Sequence, residues 1–296
     1  MPVEPGRLVT GTGLRLRAAP EADAAVIDKI ALGSVLPCLQ QSKPVTIGAQ
    51  TAPFCQMERG WYFTALTEPV QSDRAAQLDR LIDKRAGELA SDVTKDRWPD
   101  IYQVHALMFR RIADRSGEQK LAARLVELSF VSAHANAFHA DPRVAADDSQ
   151  GPRVKNEAFE QLVKNAKGTA AHEDAAWALY QHGWGGECEG YLPCVLTRAH
   201  RTACTFLASF PKGERARLAV ADIITTLKQQ AALEATNDVT DPSPSSAAAG
   251  ESASARQVKQ EARAALLQLE SCVKKAQSGD VKKALEHIAA TQKRLQ

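Results

Sequence analysis

The chain has 296 residues, which is enough for about two domains of ordinary size. Hydrophobic residues make up 44% and charged residues 24%, as is normal for a globular protein that buries a sizeable core. The 37 basic and 35 acidic residues nearly balance, which argues against a dedicated nucleic-acid-binding protein and against a polybasic membrane anchor. No stretch approaches the roughly 20 apolar residues of a membrane-spanning helix.

The cysteines bear on the cellular compartment. None of them forms a C-x-x-C pair, so a zinc ribbon or a thioredoxin-like redox site is disfavoured. An even number suits a set of disulfides, which would imply export, most simply to a bacterial periplasm. The alternative is six reduced, buried cysteines in a cytoplasmic protein. Residues 1–6 contain no charged region and no apolar run, so we expect no signal peptide there. The six are Cys38, Cys55, Cys188, Cys194, Cys204 and Cys272.

Residues 7–68 have the pattern of short β-strands. Leucine and arginine alternate at residues 14–17, which is the period of a half-buried strand. Gly60 precedes a strongly β-prone Trp-Tyr-Phe run at 61–63. Several short strands separated by turn residues predict a small β-barrel.

Four motifs follow one another in this region with consistent order and spacing. They are G-L-R-L-R-A-A-P at 13–20, V-I at 26–27, L-G-S-V-L at 32–36 and G-W-Y at 60–62. Together they resemble bacterial Src-homology-3-like domains, in which an L-x-V-R-x-x-P strand and turn is followed by an apolar pair, an L-x-x-G-x-x-V strand and a G-W-x-x-V strand. The resemblance implies a small barrel that binds cell-wall peptides or protein segments, with Arg17, Trp61 and Tyr62 as the residues to inspect. Trp61 matches the tryptophan of the family's barrel, so a core role competes with a contact role.

One departure from this family is the long stretch at 40–56. Cys38 ends one predicted strand and Cys55 begins the next, so the residues between them can form a hairpin excursion. Opposed positions on neighbouring strands bring Cα atoms within the range that a disulfide requires. We therefore predict a Cys38–Cys55 disulfide.

From residue 73 onward, apolar residues recur at the three- and four-residue spacing of amphipathic helices, which predicts a helical body. The residues F-L-A-S-F-P at 206–211, followed by an alanine-rich amphipathic stretch, resemble the corner of tetratricopeptide-like repeats. This resemblance implies stacked helix pairs, with a single irregular bundle as the alternative. The predicted helices span residues 73–91, 98–115, 117–132, 153–167, 171–182, 196–209 and 214–234.

A segment rich in proline and serine has linker composition. Two further helices are predicted beyond it, separated by Ser-Gly-Asp, which supplies a C-terminal glycine and an N-capping aspartate. The predicted fold class is therefore α+β. It comprises a small Src-homology-3-like β-barrel at residues 1–70, a mostly α-helical bundle or stacked helix pairs at 71–236, a flexible linker at 237–254 and a C-terminal helical hairpin at 255–296.

The loop between Cys188 and Cys194 is rich in glycine, and its two cysteines are close enough in sequence to close a small ring. Such a ring would display Trp184 and Tyr191 to a partner, or it would only staple two helices together. Cys204 and Cys272 would then pair by elimination. The rival arrangement pairs Cys194 with Cys204 and Cys188 with Cys272.

No sequence motif indicates catalysis. The seven histidines lack an H-E-x-x-H spacing, and neither a phosphate-binding loop nor a G-x-S-x-G elbow is present. We therefore predict no catalytic residue, no metal and no cofactor. An enzyme would require a deep pocket in which two titratable side chains lie within hydrogen-bonding distance.

The expected function is binding or scaffolding in the bacterial cell envelope. A periplasmic or secreted protein would contact a peptidoglycan peptide or a protein segment through its barrel, without nucleic acid and without a membrane span. The alternative is a periplasmic inhibitor or immunity protein that blocks a partner enzyme through its helical body.

Overall fold

The structure, a computed structural model, describes residues 6–90, 94–145, 151–183, 188, 191–240 and 253–296. In these parts of the chain, strands come first and helices follow, so the predicted α+β layout is confirmed. The chain divides into two compact units, Met1–Val144 and Ala145–Gln296. The domain boundary predicted at residue 70 stays a prediction.

The first unit begins with eight short strands in two antiparallel sheets. One sheet has the order β4-β1-β8 and the other β3-β2-β7-β6-β5. Among the described residues these strands do not close into a barrel, because β1 pairs with β4 and β8 and not with the larger sheet. The strands are β1 (Arg7–Val9), β2 (Arg15–Arg17), β3 (Val26–Lys29), β4 (Val35–Leu36), β5 (Gln40–Ile47), β6 (Gln50–Met57), β7 (Gly60–Phe63) and β8 (Thr67–Pro69).

Both sheets contribute to one small apolar core. Val9 of β1 and Leu36 of β4 cluster with Cys55 of β6 and Tyr62 of β7, and all four side chains are buried. Because successive side chains of a strand point to opposite faces of its sheet, the sequence neighbours of these four residues lie on the opposite face. The period-two pattern at 14–17 therefore reflects a strand with one buried face, where Leu14 and Leu16 are 1% exposed.

Three helices complete the first unit: α1 (Arg74–Ala90), α2 (Trp98–Ala113) and α3 (Gly117–Ala133). Helices α1 and α2 contact the turns between the strands, and α3 packs against α2. Arg85 of α1 donates a hydrogen bond of 2.8 Å to the carbonyl of Thr10, and Arg110 of α2 donates one to the carbonyl of Leu32. These contacts place α1 and α2 in the same compact unit as the sheets.

The second unit is mainly helical. Helix α6 begins earlier than the predicted residue 196, because Pro193 fits the first turn of a helix. A π-helical segment, His200–Cys204, joins α6 to α7. The elements are β9 (Val144–Ala145), which spans the division between the units, β10 (Arg153–Val154), α4 (Asn156–Ala166), α5 (His172–His182), α6 (Leu192–Ala199), α7 (Thr205–Ser209), α8 (Glu214–Thr240), α9 (Ala253–Val273) and α10 (Val281–Arg294).

The predicted linker at 237–254 is only partly covered by the structure. Helix α8 continues through Thr240, and α9 begins at Ala253. The residues between these two helices lie outside the described residues. Beyond them, α9 and α10 pack against one another, and Leu266, Leu269 and Ile288 belong to the core of the second unit. The separate C-terminal hairpin domain predicted at 255–296 stays a prediction.

All six cysteines are paired. Cys38–Cys55 is confirmed, with Cα atoms 5.4 Å apart. Cys188–Cys194 and Cys204–Cys272 have Cα separations of 5.5 and 5.6 Å, so the rival arrangement is wrong. The last disulfide joins the π-helical segment to α9 across 68 positions of sequence.

Candidate binding surface on the five-stranded sheet

One row of side chains crosses all five strands of the larger sheet. Arg17 lies opposite Trp61, Trp61 lies opposite Gln56, and Gln56 lies opposite Gln40. On the other side of β2, Arg17 lies opposite Val26. Directly opposed residues point to the same face of a sheet, so these five side chains share one face. We call this set, Val26, Arg17, Trp61, Gln56 and Gln40, the outer row.

The outer row is open to solvent, unlike the row beside it. Val26 is 44% exposed, Gln40 is exposed, and the three central residues are half-buried. The adjacent row contains Leu16, Tyr62 and Cys55, which are at most 1% exposed. The two rows thus differ in exposure, but the next opposed pair on the face of the outer row, Phe54 and Phe63, is buried, so the exposed part of that face is the outer row itself.

Tyr62 belongs to that core. Its ring is fully buried, and its hydroxyl donates a hydrogen bond of 3.1 Å to the carbonyl of Pro37, next to Cys38. A tyrosine held in this way cannot reach a ligand on the open face. Of the three residues that the sequence singled out in this region, Arg17 and Trp61 are together on the outer row and Tyr62 faces inward.

Arg17 is held in place by the chain around it. Its Nη1 donates a hydrogen bond of 2.8 Å to the carbonyl of Ala24, which fixes the guanidinium beside β3. Gly60 allows β7 to begin close to β2: it has φ +155°, and a Cβ there would lie 2.5 Å from the carbonyl oxygen of Arg17. Only glycine tolerates this approach, and it sets the position of Trp61 opposite Arg17.

The second predicted display site involves Trp184 and Tyr191. Trp184 lies outside the described residues. Tyr191 is 43% exposed and donates a hydrogen bond of 2.7 Å to Glu261 of α9. This hydrogen bond raises the pKa of the Tyr191 phenol. Tyr191 is therefore linked to α9, and Cys188 is linked to Cys194 of α6.

Sequence reasoning missed a buried ionic cluster in the first unit. Glu127 of α3 is 3% exposed. Its Oε1 accepts hydrogen bonds from Nε2 of His105, at 2.8 Å, and from Arg143, at 2.7 Å, and its Oε2 accepts a second from Arg143 at 2.9 Å. Arg143 also binds Asp141 at 2.8 Å. Burial acts to raise the pKa of the Glu127 carboxyl, but the hydrogen bonds from His105 and Arg143 outweigh it and hold that pKa below its ordinary value.

This cluster has a structural role. Both oxygens of Glu127 accept hydrogen bonds from protein donors, on α2 and on the segment after α3. Through Arg143, the cluster links the end of the irregular segment after α3 to Glu127 of α3, which in turn contacts His105 of α2. The signal in the sequence is a glutamate beside Leu128 on a face that is otherwise buried.

The described residues contain no group of three or more histidine, cysteine, aspartate or glutamate side chains that could hold a metal ion. None of the helices in the described ranges is both long enough and apolar enough to cross a membrane. Comparison with known proteins finds no matching family model, no matching curated protein and no matching solved structure.

Proposed function

We propose that this protein is a non-enzymatic binding or scaffolding protein of the bacterial cell envelope. Its N-terminal sheets act as a Src-homology-3-like module that binds a peptide of the cell wall, and the helical body serves as the scaffold. The observation that carries the proposal is the outer row, on which an arginine and a tryptophan are neighbours on an open sheet face.

The chemistry of the outer row suits a short peptide. The indole of Trp61 offers a flat apolar surface, and tryptophan and arginine are enriched among residues that dominate binding energy. The guanidinium of Arg17 can pair with a carboxylate, which cell-wall peptides carry. The amides of Gln56 and Gln40 can donate to and accept from a peptide backbone. The row thus combines an apolar contact, one positive charge and two amides.

The disulfides support the location in the envelope. Disulfides persist in oxidising compartments such as the periplasm and are rare in the cytosol. With all six cysteines paired, a periplasmic or secreted protein is favoured over the cytoplasmic alternative. Cys38–Cys55 also braces the base of the β5–β6 hairpin, whose strands carry Gln40 and Gln56 of the outer row.

The test is cosedimentation of the oxidised, full-length protein with purified peptidoglycan. Trp61→Ala should weaken retention about tenfold, as expected for a central aromatic contact, and Arg17→Gln should weaken it less. Arg59→Gln is the matched control, because Arg59 is an exposed arginine whose side chain lies outside the outer row. Equal retention of wild type and Trp61→Ala would refute the proposal.

One observation favours the alternative of a periplasmic inhibitor or immunity protein. Large apolar side chains are exposed on the helices of the first unit: Phe109 of α2 is 49% exposed and Val126 of α3 is 45% exposed. This alternative predicts a stoichiometric complex with an enzyme that survives Trp61→Ala and is lost in Phe109→Ser. The two proposals therefore give opposite results for the same pair of variants.

A further inference from the structure

A cavity of about 330 Å³ lies in the second unit, between α4, α5 and the helix that α6, the π-helical segment and α7 form together. It is separate from the outer row, which belongs to the first unit, and does not rest on the proposed function. Its volume is at the lower end of the range of about 300–1,000 Å³ that is typical of small-molecule sites.

The walls of the cavity are apolar. Val163 of α4, Leu179 of α5 and Phe206 of α7 line it, and Phe206 is 2% exposed. Each helix contributes residues at three- or four-residue spacing, so one face of each helix is turned toward the same space. The three faces together make a concave apolar surface.

Aromatic packing holds these walls in place. Trp177 stacks on Tyr180 with ring centroids 4.6 Å apart and meets Phe206 edge-on at 5.1 Å. The hydroxyl of Tyr180 donates a hydrogen bond to Asp222 of α8. Burial and this hydrogen bond raise the pKa of the Tyr180 phenol, so Tyr180 stays protonated and the link to α8 persists at physiological pH. The cavity is therefore formed before any ligand enters.

The π-helical segment supplies two polar residues of the lining. Such segments occur frequently at functional sites within α-helices. Here the segment carries Arg201 and Thr202 to the cavity, while Cys204 at its end is bonded to Cys272 of α9. The segment is therefore linked to α9 through Cys204 and lines the cavity through Arg201 and Thr202.

The charges of the lining are unequal. Lys164 of α4 and Arg201 contribute two positive charges, and Glu160 contributes one negative charge. All three are exposed, so they belong to the mouth of the cavity. Thr205, also exposed and lining the cavity, adds a hydroxyl beside them. The mouth therefore has a net positive charge above an apolar interior.

We infer that this cavity binds a small amphiphile with a single carboxylate, such as a medium-chain fatty acid. The alkyl chain lies against Val163, Leu179 and Phe206, where it loses contact with water. The carboxylate stays at the mouth, where Lys164 and Arg201 attract it and Thr205 donates a hydrogen bond to it.

The test is calorimetric titration of the oxidised full-length protein with octanoate, octan-1-ol and octylammonium, which share one chain and differ in charge. Octanoate should bind most tightly and octylammonium least. Lys164→Gln should weaken octanoate about threefold, as expected for one exposed charge, and leave octan-1-ol unchanged. Thr205→Trp should obstruct the mouth and weaken octanoate and octan-1-ol at least about tenfold.

Two matched variants serve as controls. Lys283→Gln removes one exposed positive charge from α10, and Thr225→Trp places an indole on an exposed position of α8, and neither residue lines the cavity. Both should bind octanoate as the wild type does. The inference is overturned by any of three results: no saturable binding of octanoate to the wild type, octylammonium binding as tightly as octanoate, or equal effects of Lys164→Gln and Lys283→Gln. Because Lys164 is exposed, its variant keeps the test decisive even if Thr205→Trp fails to fold.

Discussion

Cys204 and Cys272 are joined by a disulfide that connects the π-helical segment to α9, although 68 positions separate them in the sequence. This is the longest loop closed by any of the three disulfides. A crosslink over a long loop restricts the unfolded chain most, so this disulfide is expected to contribute most to the stability of the fold.

Replacing Cys204 and Cys272 with alanine should therefore lower the free energy of unfolding by roughly 4 kcal/mol on the chain-entropy account. The Cys188–Cys194 disulfide closes a loop of only 6 positions. Replacing both of its cysteines with alanine should therefore lower the free energy of unfolding by only roughly 2 kcal/mol on the same account. Urea unfolding of the two double variants beside the wild type measures both values. An equal or reversed ranking would contradict the account.

The ionic cluster around Glu127 should make stability depend on pH. Because the pKa of Glu127 in the folded protein is below its ordinary value of 4.5, its contribution is present above that value and is lost as pH falls through the folded pKa. Glu127→Gln should be less stable than the wild type near neutral pH and should lose less stability on acidification. Thermal unfolding from pH 7 downward measures this, with the exposed Glu58→Gln as the control. Parallel pH profiles for wild type and Glu127→Gln would rule out the assigned role.

Gly33 should tolerate no side chain. It has φ +76°, and a Cβ would lie 2.5 Å from Cδ1 of Leu107. Gly33→Ala should therefore combine backbone strain with a clash and cost about 3 kcal/mol. Gly48 also has positive φ, at +59°, but nothing lies within 4 Å of its added Cβ, so Gly48→Ala should cost only about 1 kcal/mol. Chemical denaturation of the two variants separates strain from clash, and similar losses would show that the approach of Leu107 does not matter.

Trp61 and Tyr62 should respond differently to truncation, although they are neighbours in the sequence. Tyr62→Ala removes a fully buried ring and its hydrogen bond to Pro37, which should cost about 4 kcal/mol of stability. Trp61→Ala removes a half-buried ring from the open face and should cost about 1 kcal/mol. A greater loss for Trp61→Ala would place Trp61 in the core and remove it from the candidate binding surface.

Local patterns predicted those features that depend on neighbouring residues. Strand alternation and turn residues indicated the β-rich start, and helical periodicity indicated the body, because both depend on residues a few positions apart. The Cys38–Cys55 disulfide was predictable for the same reason, since its two cysteines flank one hairpin. Barrel closure was expected from the number of strands, yet pairing between distant strands decides it, and β1 pairs outside the larger sheet.

The candidate sites depend on longer-range geometry. The alternation of side chains along a strand places Trp61 and Tyr62 on opposite faces of β7. Which of the two side chains is exposed to solvent depends on where the core lies, and the sequence alone does not give that. Glu127 and Arg143 meet only because the irregular segment after α3 turns back on the helix, and no periodic pattern indicates such a return. The cavity in the second unit depends on the angles between three helices and on a π-helical turn that changes the phase of one of them.

The order of the larger sheet also bears on self-association. Its two outermost strands are β3 and β5, and unpaired strand edges are templates for edge-to-edge polymerisation. On β5, Lys43 and Pro44 interrupt a potential template with a charge and a residue that lacks an amide hydrogen. On β3, the register shift opposite Leu16 and Arg17 and the charges of Asp28 and Lys29 have the same effect. We therefore expect both edges of the larger sheet to resist edge-to-edge polymerisation.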